Sequence, residues 1–415
     1  MESEVHSLKN GIRLIHTWNP GQVSHCALLI DAGTRDEPEG KSGIAHFLEH
    51  VFFKGTKRRK AYQVLNRLEV VGGELNAFTT REDTCIHASF GSEYLGRSFD
   101  LISDIVQNSQ FPVNEIEREK DVVIDEINSY MDNPMELIMD DFESQVFRGN
   151  SLGNPILGTY ESVRKYRRND LLSFVRSNYR PERMVMSYCG PIPFDRVRYQ
   201  FEKHFDGMKP APKKGTGRIK FRNKKPQHKH LYKNISQAHQ ISGCTTYSIH
   251  HPTRHVLILL NNILGGPGLN SRLNMNIREK HGYTYHVESS YVPFSDTGLF
   301  SVYLSSEPRY MEKSLSLIDL EMNKLKKKRI SPLMLRQFKK QYAGQVMIGL
   351  ENRSNFTVNQ ARSLMAFNKP MRVEDALRKI DSITSDQLIE TANGVFVKEK
   401  MSSLRFEPSE PDTSS

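Results

Sequence analysis

The chain has 415 residues, of which 37% are hydrophobic and 26% are charged. This is too long for one ordinary core and too apolar for a disordered chain, so we expect two or three folded domains or one duplicated unit. The 58 Lys and Arg residues exceed the 48 Asp and Glu residues, giving a net charge of +10. These basic residues are scattered apart from a cluster at 209–233, and no nucleic-acid-binding signature accompanies them, so we expect no nucleic-acid partner.

The cysteines and the first residues bear on the cellular compartment. Cys26, Cys85, Cys189 and Cys244 are far apart and show neither a CxxC pair nor a disulfide framework, which fits a reducing compartment. The chain does not begin with a basic segment followed by an apolar one, and no apolar run approaches the roughly 20 residues that span a bilayer. The sequence therefore predicts a cytoplasmic protein with no membrane partner.

Strand and helix patterns follow one another irregularly through the first half of the chain. β-rich or alternating runs predict strands at 11–16, 25–32, 74–78, 84–90 and 184–188. A period near 3.6 residues predicts helices at 43–53, 61–71, 94–108, 113–131, 135–147 and 170–177.

The second half repeats this mixture. Its patterns predict strands at 239–247, 283–291 and 298–305, and helices at 253–264, 270–279, 308–327, 332–349 and 355–367. Helices do not follow each strand singly, and several strands are neighbours that could form hairpins. We therefore predict an α+β fold with a mostly antiparallel sheet covered by helices, rather than a parallel doubly wound sheet.

Composition shifts once, at the basic, Pro- and Gly-containing cluster, which is typical of an interdomain linker. The halves on either side are similar in length, and the pattern at 94–103 recurs at 310–319, each time before a long helical pattern. We predict two homologous domains at 1–208 and 234–406, a linker at 209–233 and a flexible tail at 407–415.

The predicted helix at 43–53 contains His46, Glu49 and His50, which form the inverted zinc motif His-x-x-Glu-His. At about 100° per residue the three side chains project from one face. Two imidazoles one turn apart can chelate zinc, with the glutamate beside a water on the metal. Chance supplies this pattern only about 0.04 times in such a chain. Ser42 could cap this helix and Gly55 could end it.

A catalytic zinc usually takes three protein ligands and keeps one position open, so a third ligand is required. The predicted helix at 113–131 offers Glu119 and Glu126, which are seven residues apart and share one stripe. On composition alone, such carboxylates most often belong to a solvated face. The residues themselves leave the choice of the third ligand open.

Residues 43–56, 73–79 and 117–126 together resemble the pitrilysin/insulinase family of metallopeptidases, in particular its short bacterial branch similar to the mitochondrial processing peptidase. The likeness continues at 152–158, 179–184, 264–268 and 278–285, although 265–268 is Gly-Gly-Pro-Gly where relatives more often have a run of glycines. The family position of the third ligand, 76 residues after the second motif histidine, implies Glu126, and a supporting glutamate seven residues earlier implies Glu119.

The resemblance also implies functions for residues outside the metal motif. It implies two homologous α+β domains, of which the second lacks metal ligands, and hence one Zn²⁺ per chain. Arg278 and Tyr285 match an arginine and tyrosine pair that assists catalysis by hydrogen bonding to the peptide carbonyl and its oxyanion. Phe53 matches a residue of the pocket after the scissile bond.

The expected substrate contacts follow from the same resemblance. Asn76, Ala77 and Phe78 match an exposed edge strand to which substrates add as a further strand. Glu136 and Asp140 stand where processing enzymes keep acidic residues for a substrate arginine, although acidic residues in this spacing are more often merely solvated. The zinc motif and the arginine and tyrosine pair lie on one chain, so the resemblance implies a homodimer.

The sequence thus predicts a zinc endopeptidase that cleaves unfolded peptides. Glu49 is expected to take a proton from the attacking water and to deliver it to the leaving amine. The alternative is a noncatalytic scaffold or assembly subunit of the same fold, because some relatives have lost the chemistry. Such subunits typically have broken zinc motifs, whereas here all four positions are intact.

Overall fold

The structure, a computed structural model, describes residues 2–209 and 217–409. Packing divides the chain into two compact units that are interleaved in sequence. The first unit comprises Met1–Asn128, Asn154–Ile219 and Ile348–Arg372, and the second comprises Ser129–Gly153, Lys220–Met347 and Val373–Ser415. Parts of the predicted linker, 210–216, and of the predicted tail, 410–415, lie outside the described residues.

The strands of the described residues are, in chain order, β1 (Ser3–Ser7), β2 (Arg13–Trp18), β3 (Val23–Ile30), β4 (Glu74–Thr79), β5 (Thr84–Gly91), β6 (Met184–Gly190), β7 (His228–Lys233), β8 (Ala238–Thr246), β9 (Thr284–Pro293), β10 (Gly298–Ser306) and β11 (Ser402–Pro408). The α-helices are α1 (Ile44–Phe52), α2 (Ala61–Glu69), α3 (Leu95–Asn108), α4 (Val113–Met131), α5 (Pro134–Val146), α6 (Tyr160–Lys165), α7 (Arg168–Asn178), α8 (Phe194–Phe205), α9 (Arg254–Gly265), α10 (Pro308–Lys327), α11 (Pro332–Glu351), α12 (Arg353–Phe367), α13 (Val373–Asp381) and α14 (Ser385–Val395).

Each unit contains one sheet, and the two sheets share a strand order. The first sheet runs β1-β2-β6-β3-β5-β4, and the second runs β7-β11-β8-β10-β9. All neighbours are antiparallel except β2 with β6 and β7 with β11, which are parallel. Apart from the additional β1, the strands correspond one to one, as expected for a duplicated α+β domain. The predicted fold class is confirmed.

The first sheet is covered by helices on both faces. In β3, Leu28 and Ile30 belong to the core that includes residues of α1 and α3. Ala27 and Leu29, which alternate with them, pack in a second core with α12. A strand with apolar residues on both faces must be buried on both sides, and α12 supplies the second cover.

The second sheet is covered in the same way. Ala238 and Cys244 of β8 face the core that contains α9 and α10. Ile241 points to the opposite face and packs with Ile138 and Phe142 of α5. Helix α5, from the first half of the sequence, therefore belongs to the second unit, and α12, from the second half, belongs to the first.

This exchange of helices was not predicted. The predicted ranges 1–208 and 234–406 are contiguous, whereas the compact units exchange 129–153 for 348–372. The physical reason is that each sheet has an apolar face which the helices of its own half leave uncovered.

No helix among the described residues is both long enough and apolar enough to cross a bilayer. All four cysteines are buried and free.

Candidate metal centre

Helix α1 carries the His-x-x-Glu-His motif and is anchored at its first turn. Gly43 precedes it with a φ of 87°, and a Cβ added there would meet the backbone of Gly158. Buried Glu37 accepts hydrogen bonds from the backbone N–H groups of Gly43 and Ala45, both at 3.0 Å. These bonds satisfy donors that a helix start leaves free.

The prediction that Ser42 caps this helix is wrong. Its hydroxyl oxygen is buried without a hydrogen-bond partner, and its carbonyl accepts a hydrogen bond from the Tyr166 hydroxyl. The helix ends at Phe52, before the predicted Gly55. Glu37, six residues before Gly43, supplies the acceptors for the start of the helix instead.

Helix α1 buries its apolar face and directs its polar side chains toward α4. Ile44, Phe47, Leu48 and Val51 are fully buried in the first unit's core. His46 is also buried, at 7% exposure. A 3.6-residue period predicts this separation of apolar and polar side chains onto two faces of one helix.

His46, His50 and Glu126 come together as one potential ligand set. Glu126 Oε2 lies 3.7 Å from His46 Nε2 and 3.3 Å from His50 Nε2. One ligand atom from each residue lies within 4.8 Å of the other two, and no other such group of three occurs among the described residues. Donors about 2.0–2.1 Å from a tetrahedral ion would be about 3.3–3.4 Å apart, which is close to the two distances from Glu126 Oε2.

Glu119 supports His50 from the side opposite the ligand atom. Its Oε1 lies 3.0 Å from His50 Nδ1, and its Oε2 lies 2.7 Å from Lys54 Nζ. In the neutral ring that binds a metal, an Nδ1–H donated to Glu119 leaves Nε2 unprotonated and available as the ligand atom. His46 differs, because its Nδ1 is buried without a hydrogen-bond partner.

Glu49 lies on the same helix face and is held by the edge strand β4. The Thr79 hydroxyl donates a hydrogen bond to Glu49 Oε2 at 2.7 Å. Burial raises the pKa of Glu49, and this hydrogen bond partly offsets the effect. A half-buried carboxylate of raised pKa is suited to accepting a proton from water.

Without a metal, the pKa values of the two histidines shift in opposite directions. Burial, aided by the neighbouring His50, lowers the pKa of His46 to about 4. Burial also opposes protonation of His50, but hydrogen bonds with Glu119 and Glu126 outweigh it and raise its pKa to about 9. The hydrogen bond with His50 lowers the pKa of Glu126.

The charges around the site favour a divalent cation. When a metal ion displaces the His50 proton and both histidines are neutral, the carboxylates of Glu49, Glu119 and Glu126 face the Lys54 ammonium group. Two of these negative charges then have no counter-charge among the contacts of the described residues. A doubly charged cation would balance them, whereas an anion would be repelled.

The predicted substrate strand β4 is the last strand of its sheet and pairs only with β5 in the described residues. Ala77 packs against the core that contains α1, and Phe53 packs there as well. Phe78 instead packs in the core that contains α12, on the other sheet face, with the Arg362 guanidinium 5.4 Å from its ring. The Phe78 side chain therefore lies on the sheet face opposite α1.

Asn76 uses its side chain locally. Its Oδ1 accepts a hydrogen bond from the backbone N–H of Ala77 at 2.8 Å. The side chain is exposed, whereas Ala77 is half-buried.

The remaining predicted residues lie in the second unit. Arg278 is in a π-helical segment, Asn274–Glu279, and its Nε is 3.4 Å from Glu279 Oε1. Tyr285 lies in β9 and is 86% exposed. Glu136 and Asp140 lie one turn apart on α5, where Glu136 is exposed and Asp140 is half-buried. The metal ligands, Glu49 and β4 all belong to the first unit.

Three residues of the site were not predicted: Glu37, Lys54 and Thr79. Lys54 had a possible signal, because it follows His50 by four residues, although α1 ends before it. Glu37 and Thr79 act through contacts between separate elements, for which the local pattern holds no signal.

An inverted zinc motif on one of two homologous sheet-and-helix units defines a class of metallopeptidases. The chain belongs to the insulinase family, peptidase family M16. The family described as Insulinase (Peptidase family M16) matches residues 14–160, and the Peptidase M16 inactive domain matches residues 165–342. The resemblance found in the sequence is therefore confirmed.

Similar proteins include curated relatives named as uncharacterized zinc proteases. One from Mycobacterium leprae is 33% identical over 389 residues, covering 92% of this chain and 86% of the relative. One from Bacillus subtilis is 30% identical over 397 residues, covering 95% and 96%. Family membership supports a peptidase-like function for this chain.

Solved structures share the fold. A protease from Helicobacter pylori has a TM-score of 0.92 at 22% identity, covering 98% of this chain and all of that one. A peptidase M16 inactive domain from Pseudomonas fluorescens has a TM-score of 0.89 at 18% identity, covering 99% of each chain. At these identities the likeness concerns the fold.

Proposed function

We propose that this protein is a zinc endopeptidase whose metal is held by His46, His50 and Glu126, one ion per chain. The observation that carries the proposal is the grouping of these three ligand atoms beside Glu49. When bound there, zinc would act as a Lewis acid and lower the pKa of a bound water.

Glu49 is the proton carrier of the proposed reaction. It accepts a proton from the water that attacks the peptide carbonyl, and it passes this proton to the amine that leaves. The Thr79 hydroxyl orients the carboxylate of Glu49, and Glu119 orients the ring of His50. In this proposal Arg278 and Tyr285 hydrogen-bond the carbonyl oxygen as negative charge develops on it.

The proposed substrate is an unfolded peptide that adds to β4 as a further strand. An edge strand recognises extended backbone mainly through main-chain hydrogen bonds, so sequence dependence is modest. Phe53 would contact the residue after the scissile bond, and Glu136 and Asp140 would attract a substrate arginine. A compact folded protein offers no free extended segment and would resist cleavage.

We further propose a symmetric homodimer. The metal ligands and the arginine and tyrosine pair are encoded in one chain, so no different subunit has to supply either set. Two chains would enclose the site, as the resemblance to the short-chain branch of the family implies.

The alternative is a noncatalytic assembly subunit. The match of residues 165–342 to an M16 inactive domain is compatible with it. The complete ligand set in the first unit favours the enzyme, because a structural role requires neither a metal site nor the adjacent carboxylate of Glu49.

The deciding experiment compares the wild-type protein with Glu49→Gln and with Glu117→Gln, which alters a carboxylate on α4 that is 61% exposed. Each is incubated with a mixed peptide library, cleavage is followed by mass spectrometry, and bound zinc is measured. We expect about one zinc per chain in all three proteins and a loss of about 100-fold to 10,000-fold in cleavage for Glu49→Gln alone. A wild-type protein that binds zinc but cleaves no peptide would support the assembly subunit instead.

A further inference from the structure

The first unit contains a second polar cleft, which the proposed peptidase does not use. It is open, has a volume of about 470 Å³, and lies between α2, the loop before α2 and the start of α3. Four arginines line it: Arg58, Arg59, Arg67 and Arg97. Neither the metal ligands nor Glu49 line it, and its volume is typical of small-molecule sites.

Two buried carboxylates hold part of this arginine cluster in place. Arg58 Nη2 lies 2.8 Å from Asp100 Oδ1, and Arg59 contacts both Asp100 and Asp104. His204 Nδ1 lies 3.9 Å from Asp100. The cleft lining itself includes no carboxylate, so four guanidiniums are set against two carboxylates. Two positive charges are left without a counter-charge when His204 is neutral.

The other two arginines retain many free donors. Arg97 has no carboxylate partner among the described contacts: its Nη1 donates to the Arg67 carbonyl at 3.3 Å, and its guanidinium lies 5.3 Å from the ring centre of Tyr94. Arg67 Nη2 is 3.6 Å from Asp100, and its Nε is buried without a hydrogen-bond partner. Because a guanidinium carries five N–H groups, most donors of this pair are available to a ligand.

Apolar surface borders these donors. Tyr62 and Val70, which also line the cleft, are 60% and 68% exposed. An aromatic ring beside free guanidiniums suits a ligand with one strongly anionic end and one flat or apolar end.

We propose that this cleft binds a small molecule that bears a phosphate monoester. Such a group carries close to two negative charges near neutral pH, which matches the two unbalanced positive charges. Its oxygens accept paired N–H bonds from a guanidinium fork. A carboxylate offers one charge and two oxygens, so it would satisfy only part of the cluster.

The test is calorimetric titration of the full-length protein with phenyl phosphate, which joins a phosphate monoester to an aromatic ring. We expect saturable binding that weakens as salt is added, and binding of benzoate at least tenfold weaker. Arg67→Gln/Arg97→Gln should weaken phenyl phosphate binding by at least tenfold. The control Arg164→Gln/Arg196→Gln removes the same charge from exposed positions of the same unit and should change affinity less than about twofold.

Two further controls distinguish binding in this cleft from binding at the metal site and from loss of folding. Phosphate can ligate zinc, so His50→Ala, which removes a proposed metal ligand, should bind phenyl phosphate as tightly as the wild type. If circular dichroism shows that the double variant is unfolded, Arg97→Gln replaces it, because Arg97 has no carboxylate partner to lose, and Arg97→Lys should restore part of the binding. Equal weakening in the site and control variants, equal binding of benzoate, or loss of binding in His50→Ala would each overturn the proposal.

Discussion

Lys54 shows how a side chain that binds no metal can govern one that does. Its ammonium contacts Glu119, whose other oxygen lies 3.0 Å from His50 Nδ1. Burial disfavours the ionised form of Glu119, but hydrogen bonds with His50 and Lys54 outweigh it and lower its pKa. An ionised Glu119 accepts a hydrogen bond from the His50 Nδ1–H, and in the neutral ring this leaves Nε2 for the metal.

We therefore predict that Lys54→Met weakens zinc binding. Loss of the ammonium removes the charge that stabilises ionised Glu119, and partners of metal ligands typically contribute about 10-fold to 100-fold to affinity. Competition with a chromophoric chelator measures the change. Lys57→Met, an exposed lysine of the following loop, is the control and should leave the affinity unchanged. Equal affinities for the two variants would show that Lys54 has no part in positioning Glu119.

Helix α1 is placed by contacts at its first turn as well as by its apolar face. Glu37 is buried, and burial raises its pKa well above the usual range, although two backbone N–H groups favour its ionised form. Two ligands and Glu49 all lie on this one helix, so a shift of its first turn would displace them together.

The corresponding prediction concerns Glu37→Ala. Two buried N–H groups lose their acceptor, which should reduce the free energy of unfolding by about 1–3 kcal/mol and weaken zinc binding. Urea unfolding of the zinc-free and zinc-loaded protein measures both effects. Glu39→Ala removes an exposed carboxylate two residues away and should change neither. An unaltered unfolding curve for Glu37→Ala would mean that water replaces the lost acceptor.

Each compact unit contains a helix that comes from the other half of the sequence. Helix α12 covers one face of the first sheet, and α5 covers the corresponding face of the second. Neither half of the chain contains all the helices that its own sheet requires. We therefore expect folding of either unit to require residues from both halves of the chain.

A fragment test follows from this dependence. We predict that residues 1–209 alone do not unfold cooperatively, because Ala27 and Leu29 would face water. The same fragment joined by a Gly/Ser linker to residues 348–372 should show a cooperative thermal transition by circular dichroism. A variant of that fusion with Leu364→Asp, which places a charge in the covered face, is the matched control and should lose the transition. A cooperative transition in the short fragment would show that α12 is dispensable.

We predict that the protein is a homodimer in solution. Light scattering should give a mass near twice the 47.8 kDa of one chain. Mixing wild type with His50→Ala chains should leave the wild-type sites active, because each site takes its ligands from its own chain. Full activity at the mass of a single chain would rule out closure by a second copy.

Sequence patterns located most elements of the fold. The predicted bounds 113–131 and 308–327 are those of α4 and α10, because both helices have a long, regular apolar stripe. Strands β1, β7 and β11 were missed. β1 and β7 lie at sheet edges and are largely exposed, so burial imposes no alternation on them, whereas β11 lies between β7 and β8 inside its sheet. The helix predicted at 270–279 is π-helical over Asn274–Glu279, a difference that the 3.6-residue period does not encode.

In the site, too, some residues follow from a local pattern and others only from tertiary packing. His46, Glu49 and His50 follow from the sequence because a helix places residues three and four apart on one face, and this geometry is local. Glu126 could not be distinguished from Glu119 by pattern, since both share a stripe of α4, and only the packing of α4 against α1 brings Glu126 to both histidines. The cap at Glu37, the support from Lys54 and Thr79, and the exchange of α5 and α12 likewise join residues that no local period relates. Contacts between distant segments are set by how whole elements pack, so only the tertiary structure could decide them.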